Sequence, residues 1–204
     1  MRRILILIFF VTIARLNFAQ IGNNQYWYSG DVLLTNGNVV KGEISLAAKM
    51  DIIRVKQDNT IKAFTPTNVQ SFSRFDTRYN LNRDYFSLPI PESSHFKLQF
   101  YELVHEGQVA LLCRTLEIDH EEAENSSRYY YDNDPHTNRV KVDEFYLMKP
   151  AGAITKISKA SELIDFLDQT DLLKAYIEDK KLDLSKRSDF LKLMLYYDSL
   201  KVSS

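Results

Sequence analysis

The sequence predicts an α+β fold: an antiparallel β-rich domain, barrel- or sandwich-like, of roughly eight to ten strands, followed by three short C-terminal helices. Three observations predict it. Apolar and polar residues alternate in short runs over most of the chain to about residue 157, and turn residues separate those runs. From Ser158 onward the apolar spacing lengthens from two to about 3.6 residues. The composition, 45% hydrophobic and 26% charged with 12 Tyr and 12 Phe, suits a folded chain rich in strands.

Residues 1–19 read as a secretory signal. Arg2 and Arg3 form a charged start, Ile4 to Ala14 is apolar apart from Thr12, and Asn17-Phe18-Ala19 offers a cleavage site before Gln20. The apolar run is shorter than the roughly 20 residues of a membrane-spanning helix. The expected organisation is therefore a signal peptide at 1–19, an antiparallel β domain at 20–157 and a helical segment at 158–204 packed on it. The protein is expected to be exported, periplasmic or secreted, with no transmembrane span after cleavage.

The β domain is expected to begin with a hairpin at 30–46, where Asn36-Gly37 predicts a two-residue type I′ turn. That turn sets Leu33 opposite Val40, Ser29 opposite Ile44 and Trp27 opposite Leu46. The return strand alternates cleanly, with Val40, Ile44 and Leu46 on one face. The outgoing strand does not: Ser29 and Asp31 fall on the apolar face while Val32 and Leu34 point away. A second hairpin turns at Gln57-Asp58-Asn59-Thr60 and places Ile53 near Phe64. VQSFSRF continues as a strand, and Pro89 and Pro91 limit residues 75–95 to a loop or edge. HFKLQFYELV and QVALLCRTLEI form a hairpin around Gly107, and the second of these is apolar on both faces over Val109 to Leu112, which predicts a central strand. SRYYY and RVKVDEFYLMK form another hairpin, and ITKI closes the sheet.

Three helices follow. Ser158 is the expected cap of the first, with Ala160, Leu163, Ile164 and Leu167 inward. Thr170 and Asp171 start the second. Asp183 or Ser185 starts the third, with Phe190, Leu191, Met194 and Tyr197 inward.

Charge and motif content narrow the function. The full chain has net charge −1, and without the three arginines of residues 1–19 it has 23 basic and 27 acidic residues, net −4. That disfavours a general nucleic-acid binder. No GxxxxGK[ST] or GxGxxG run is present, and the chain has only six glycines, so no cofactor is expected. Cys113 is the single cysteine and sits in an apolar run, which reads as a small core residue.

The motif order resembles a group of uncharacterised exported proteins of the Bacteroidota. The matching residues are Gly37, Val40, Gly42 and Ile44, then Phe100, Leu103, Gly107, Val109 and Leu111, then Phe145, Tyr146, Leu147, Lys149 and Gly152, and finally Tyr196 and Tyr197. Residues 119–140 depart from that pattern and read as an insertion. The resemblance implies export and this fold class, and carries no activity or site with it.

Candidate sites follow from residue type. Asp119, His120, Glu121 and Glu122, beside Glu117 and Glu124, offer oxygen and imidazole ligands of the kind Ca²⁺ or Zn²⁺ take, and a solvated acidic loop explains the same residues without a metal. Arg74 and Arg78 lie among Phe75, Tyr79, Tyr85 and Phe86, where guanidinium and rings can grip an anionic sugar or carboxylate. An ordinary strand with a solvated Arg face is the plainer alternative. Tyr129, Tyr130 and Tyr131 alternate faces, which leaves at least one for a protein or glycan partner. No G-x-S-x-G elbow is present. The function expected is a non-enzymatic binding or scaffolding module of the cell envelope, its partner an envelope protein or glycan; the alternative is a metal-assisted hydrolase using the His120 loop.

Overall fold

A computed structural model describes residues 26–91, 93, 97–119, 121, 129–133, 139–167 and 169–202. The leader expected at 1–19 lies outside them, as do His95, His120, Glu122 and His136. The architecture is α+β: among the described residues, eleven strands form one antiparallel sheet and three helices follow at the C-terminal end.

β1 (Tyr28–Leu34), β2 (Val39–Ala47), β3 (Ile52–Gln57) and β4 (Thr60–Phe64) form a meander. β5 (Val69–Asp76) returns to the other side of β1, and β6 (Leu81–Pro89), β7 (Leu98–His105) and β8 (Ala110–Asp119) follow in order. β10 (Arg139–Met148) lies beside β8 for its whole length. On its other side β10 pairs first with β9 (Tyr129–Asn133) and then with β11 (Ile154–Ile157). The sheet order runs from β11 to β4, and these ends do not pair among the described residues, so the sheet is open and does not close into a barrel.

The first hairpin differs from the expected one by a single residue. Val32 is opposite Val40 and Tyr28 opposite Ile44. Leu34 N–H bonds to Asn38 C=O at 2.8 Å, so the loop is Thr35-Asn36-Gly37. Only Gly37 has a positive φ, +85°, which is the three-residue loop with a bulge glycine rather than the two-residue turn that needs two positive φ values. The slip moves every side chain of β1 to the other face. Val32 becomes fully buried and Ser29 and Asp31 turn to solvent, so the outgoing strand alternates as well as its partner. The second hairpin keeps the expected register, with Ile53 opposite Phe64. Residues 81–89 are corrected from loop or edge to an internal strand between β5 and β7. Pro89 is tolerated because it is the last residue of β6, where its carbonyl still accepts from Tyr101 Oη at 3.3 Å.

A glycine pair lets the sheet coil. Gly30 and Gly42 are cross-strand partners. A Cβ on Gly30 would sit 2.1 Å from the Ser73 carbonyl oxygen, and one on Gly42 2.4 Å from that of Lys56. Neighbouring strands therefore approach closer here than any side chain permits. The coiled sheet wraps Val32, Ile44, Ile53, Val55, Val69, Phe72, Tyr85 and Phe100 into one apolar cluster. Phe72 anchors it, stacked on Tyr85 at 4.5 Å and edge-on to Phe100 at 5.2 Å.

The helices cover the next part of the sheet. α1 (Ala160–Phe166), α2 (Thr170–Lys180) and α3 (Arg187–Val202) bury Leu163, Leu167, Leu173, Phe190, Leu193, Met194 and Tyr197 against Leu111, Cys113, Phe145 and Leu147. The stripe 190, 193, 194, 197 is one helical face; Leu193 belongs to it and Leu191 is only half-buried. Ser158 is not the cap of α1. Glu162 instead reaches back, accepting from the backbone N–H groups of Ser158 at 2.7 Å and Lys159 at 3.2 Å.

β7 and β8 pair only around Glu102, Leu103 and His105, and part below that point. Into the gap comes the 3₁₀ turn Ala48–Met50 between β2 and β3. Arg114 on β8 donates to Gln99 Oε1, to the Ala48 carbonyl at 2.8 Å and to Asp51 Oδ1 at 2.9 Å. Asp51 Oδ1 also accepts the backbone N–H of Phe100 at 3.1 Å.

Candidate functional site

Strand alternation places Phe100 and Glu102 on one face of β7, between the apolar cluster of the coiled sheet and the one beneath the helices. Glu102 is 5% exposed and opposes Tyr85 on β6 and Cys113 on β8. Its Oε1 accepts from Arg83 at 2.8 Å and from Arg187, the first residue of α3; its Oε2 accepts from the Tyr85 hydroxyl at 3.3 Å. Arg83 continues the chain of charge to Asp76 at 2.6 Å, and Asp76 Oδ1 accepts the backbone N–H of Arg78 at 3.0 Å.

The electrostatics follow from burial and neighbours. Burial disfavours charge on Arg83 and Arg187, but Glu102 outweighs it and holds both above the usual arginine range. Burial and the Glu102 charge push the Tyr85 hydroxyl up. Asp143, on β10, donates nothing when ionised and accepts from Thr115 Oγ1 at 2.6 Å. Burial raises its pKa, against the pull of Thr115 and Arg187. Burial also raises the Cys113 thiol well above its ordinary value, which removes it as a nucleophile near neutral pH. Both oxygens of Glu102 are engaged by donors, so the arrangement clasps α3 to the sheet. A second tie holds the other end of α3. His105 Nε2 lies 2.6 Å from Asp198 Oδ2, and Asp198 Oδ1 accepts the Gln108 N–H at 3.1 Å.

The expected site residues separate into different places. Arg74 sits in the sheet interior, its guanidinium 4.5 Å from the Tyr28 ring centroid and 5.1 Å from that of Tyr85. Arg78 lies on the exposed turn between β5 and β6. The two therefore do not share one gripping face. Tyr129, Tyr130 and Tyr131 are in β9, where Tyr129 opposes Asp143 and Tyr130 opposes Val142. Asp119 is the last residue of β8, directly opposite Arg139, and Glu121 is exposed just beyond it. His120 and Glu122 lie outside the described residues, and among those described no group of three His, Cys, Asp or Glu side chains is placed to hold a metal.

Searched against known protein families, curated proteins and solved structures, the chain matches none.

The fold itself supplies a feature that no motif announced. A cleft of about 780 Å³ opens on the outer face of β1, β2 and β3. Two cross-strand rungs line it: Ser29 opposite Glu43 opposite Lys56, and Asp31 opposite Lys41. Gly30 and Gly42 lie between the rungs, and Asp58, in the turn after β3, stands at the far side. The expected register hid this group, because it turned Ser29 and Asp31 to the apolar face. The only signal available was the polar residues flanking each glycine, Ser29 and Asp31 about Gly30 and Lys41 and Glu43 about Gly42.

Proposed function

We propose that the chain is an exported, non-enzymatic protein of the cell envelope that binds or scaffolds a partner. The leader-like residues 1–19 and the motif order support export. The observation that carries the binding reading is the rung at which β9 departs. Asp119 and Arg139 are cross-strand partners, so the chain leaves the β8–β10 ladder and rejoins it at one place. The excursion between them adds β9 to β10 alone, and β9 has no second strand partner among the described residues. Backbone groups along such an edge suit a partner strand, and Tyr129–Tyr131 suit contact with protein or glycan.

The test is in-cell crosslinking of a C-terminally tagged protein, with and without residues 120–138 replaced by Asn-Gly. The β8–β10 ladder runs unbroken from Met148 opposite Ala110 to Arg139 opposite Asp119, so the shortened protein should fold. One dominant envelope partner, captured by the full chain and lost from the folded shortened one, is the expected result. Capture unchanged by the replacement removes the binding role of this excursion, and recovery of the protein inside the cytoplasm removes export.

A further inference from the structure

We infer that Arg74 anchors a binding site for the carboxylate group of a small ligand. Arg74 rises from β5 on the inner face of the sheet, with its guanidinium over the rings of Tyr28 and Tyr85. It makes no side-chain hydrogen bond or ion pair with any described residue, and its Nε is buried without an acceptor. Arg83, Arg114 and Arg187 are drawn inward too, and each meets a carboxylate: Asp76 and Glu102 for Arg83, Asp51 for Arg114 and Glu102 for Arg187. A guanidinium taken from water without an acceptor is an uncompensated loss that ring contacts offset only in part. Nε is the one guanidinium nitrogen of Arg74 shut off from solvent, so the terminal pair is open to a ligand.

Tyr85 holds the guanidinium in place before a ligand arrives. Its ring stacks on Phe72 at 4.5 Å, and its hydroxyl bonds to Glu102 at 3.3 Å. Burial and Glu102 push that hydroxyl up while Arg74, Arg83 and Arg187 each pull against them, so the three cations lie about one point. Charge then selects the ligand. Arg83 stands directly across the ladder from Arg74, and Glu102 and Asp76 neutralise this like-charge pairing on the Arg83 side alone. An anion is drawn to Arg74, and the ammonium group of a zwitterion is repelled by the arginines around it. A dianion meets Glu102 and Asp76 in the same group, which favours a single charge. A carboxylate is such a monoanion, and its two coplanar oxygens match the two terminal nitrogens of a guanidinium. The inference goes beyond export and partner capture, and uses the inner face of β1, β5 and β6 in place of the β9 excursion.

The test follows the Nε–H resonance of Arg74 in isotope-labelled protein, assigned by its loss in Arg74→Lys. Burial of Nε slows exchange with water and keeps the signal visible. The probes are two carboxylates, D-glucuronate and N-acetyl-L-alanine, their neutral counterparts D-glucose and N-acetyl-L-alanine amide, and inorganic sulfate. At least one carboxylate should shift the signal saturably at millimolar concentration, and neither neutral compound should. By calorimetry Arg74→Lys should weaken that carboxylate by about tenfold or more, since it keeps the charge and loses the fork. Tyr28→Leu removes one ring from the guanidinium and should weaken it too. It serves as the second variant should Arg74→Lys lose the fold, which thermal unfolding checks. No saturation by either carboxylate in the parent protein overturns the inference. So does binding of a neutral compound as tight as that of its carboxylate, tighter binding of sulfate, or carboxylate binding indifferent to the folded variants. Partner capture through the β9 excursion is unaffected by these outcomes, so the two readings fail separately.

Discussion

Arg114 and Asp51 form an ion pair of 2.9 Å across 63 residues of chain. The pair sits where β7 and β8 part, and with the bond to the Ala48 carbonyl it draws the β2–β3 connection onto β8. Arg114→Ala should therefore cost about 3 kcal/mol or more, because it strips Asp51 and Gln99 of their shared donor in a largely buried place. Urea unfolding measures this. A loss no larger than that of an exposed ion pair, such as Lys56 with Glu43, would show that the gap is held by packing alone.

Glu102 should be the costliest single polar change. Glu102→Gln leaves Arg187 without its carboxylate partner and Arg83 with Asp76 alone, a loss of about 3–5 kcal/mol. Arg187→Met removes one donor and leaves Arg83 and Tyr85 on the carboxylate, so it should cost less, about 1–2 kcal/mol. It should also speed hydrogen exchange at the start of α3. Equal losses in the two variants would mean that Arg187, not the shared carboxylate, carries the clasp.

Asp143 sets a pH dependence of known sign. Burial raises its folded-state pKa above the ordinary value of 3.8. The native state therefore holds this proton more tightly than the unfolded chain. The associated stability is present in full below about pH 4 and is lost as pH rises through the elevated folded value. Asp143→Asn, which keeps an acceptor for Thr115, abolishes that loss. Melting temperatures of variant and parent should diverge in favour of the variant as pH climbs from 4 toward 7. A constant difference over that range would mean that Asp143 does not titrate as its burial requires.

Two glycines predict opposite outcomes. Gly42→Ala forces a Cβ to 2.4 Å from a backbone oxygen that no rotamer can move, and should cost about 3 kcal/mol. Gly37→Ala meets no atom within 4 Å and suffers only from its φ of +85°, a cost of about 1 kcal/mol. Chemical denaturation of both, side by side, separates crowding from backbone strain.

Strand and helix periods were legible in the sequence because burial writes them at spacings of two and 3.6 residues. The Asn36-Gly37 turn was legible, but its length was not: two- and three-residue loops both place glycine at a positive φ, and the choice between them depends on which face of β1 finds a core. The disorder in the expected β1 pattern was the visible trace of that error. Glu102 looked like any polar residue of an alternating strand. Its role depends on Arg83 and Arg187, and Arg187 lies 85 residues away, which no local spacing reveals. The cleft was hidden twice, by the register and by the need for three strands to coil together before it exists.

The strand order also has a consequence for how the chain reaches this state. Most ladders join strands adjacent in sequence, so the turns between them close short loops. The β1–β5 ladder is different: Val32 meets Phe72 only after three intervening strands have been laid down. Assembly can begin as two independent ribbons, one ending at β4 and one starting at β5, and their joining is the slow, entropically demanding step. Because the same joining seals Val32 and Phe72 into the interior, damage at that seam should lower the folding rate more than damage within either ribbon.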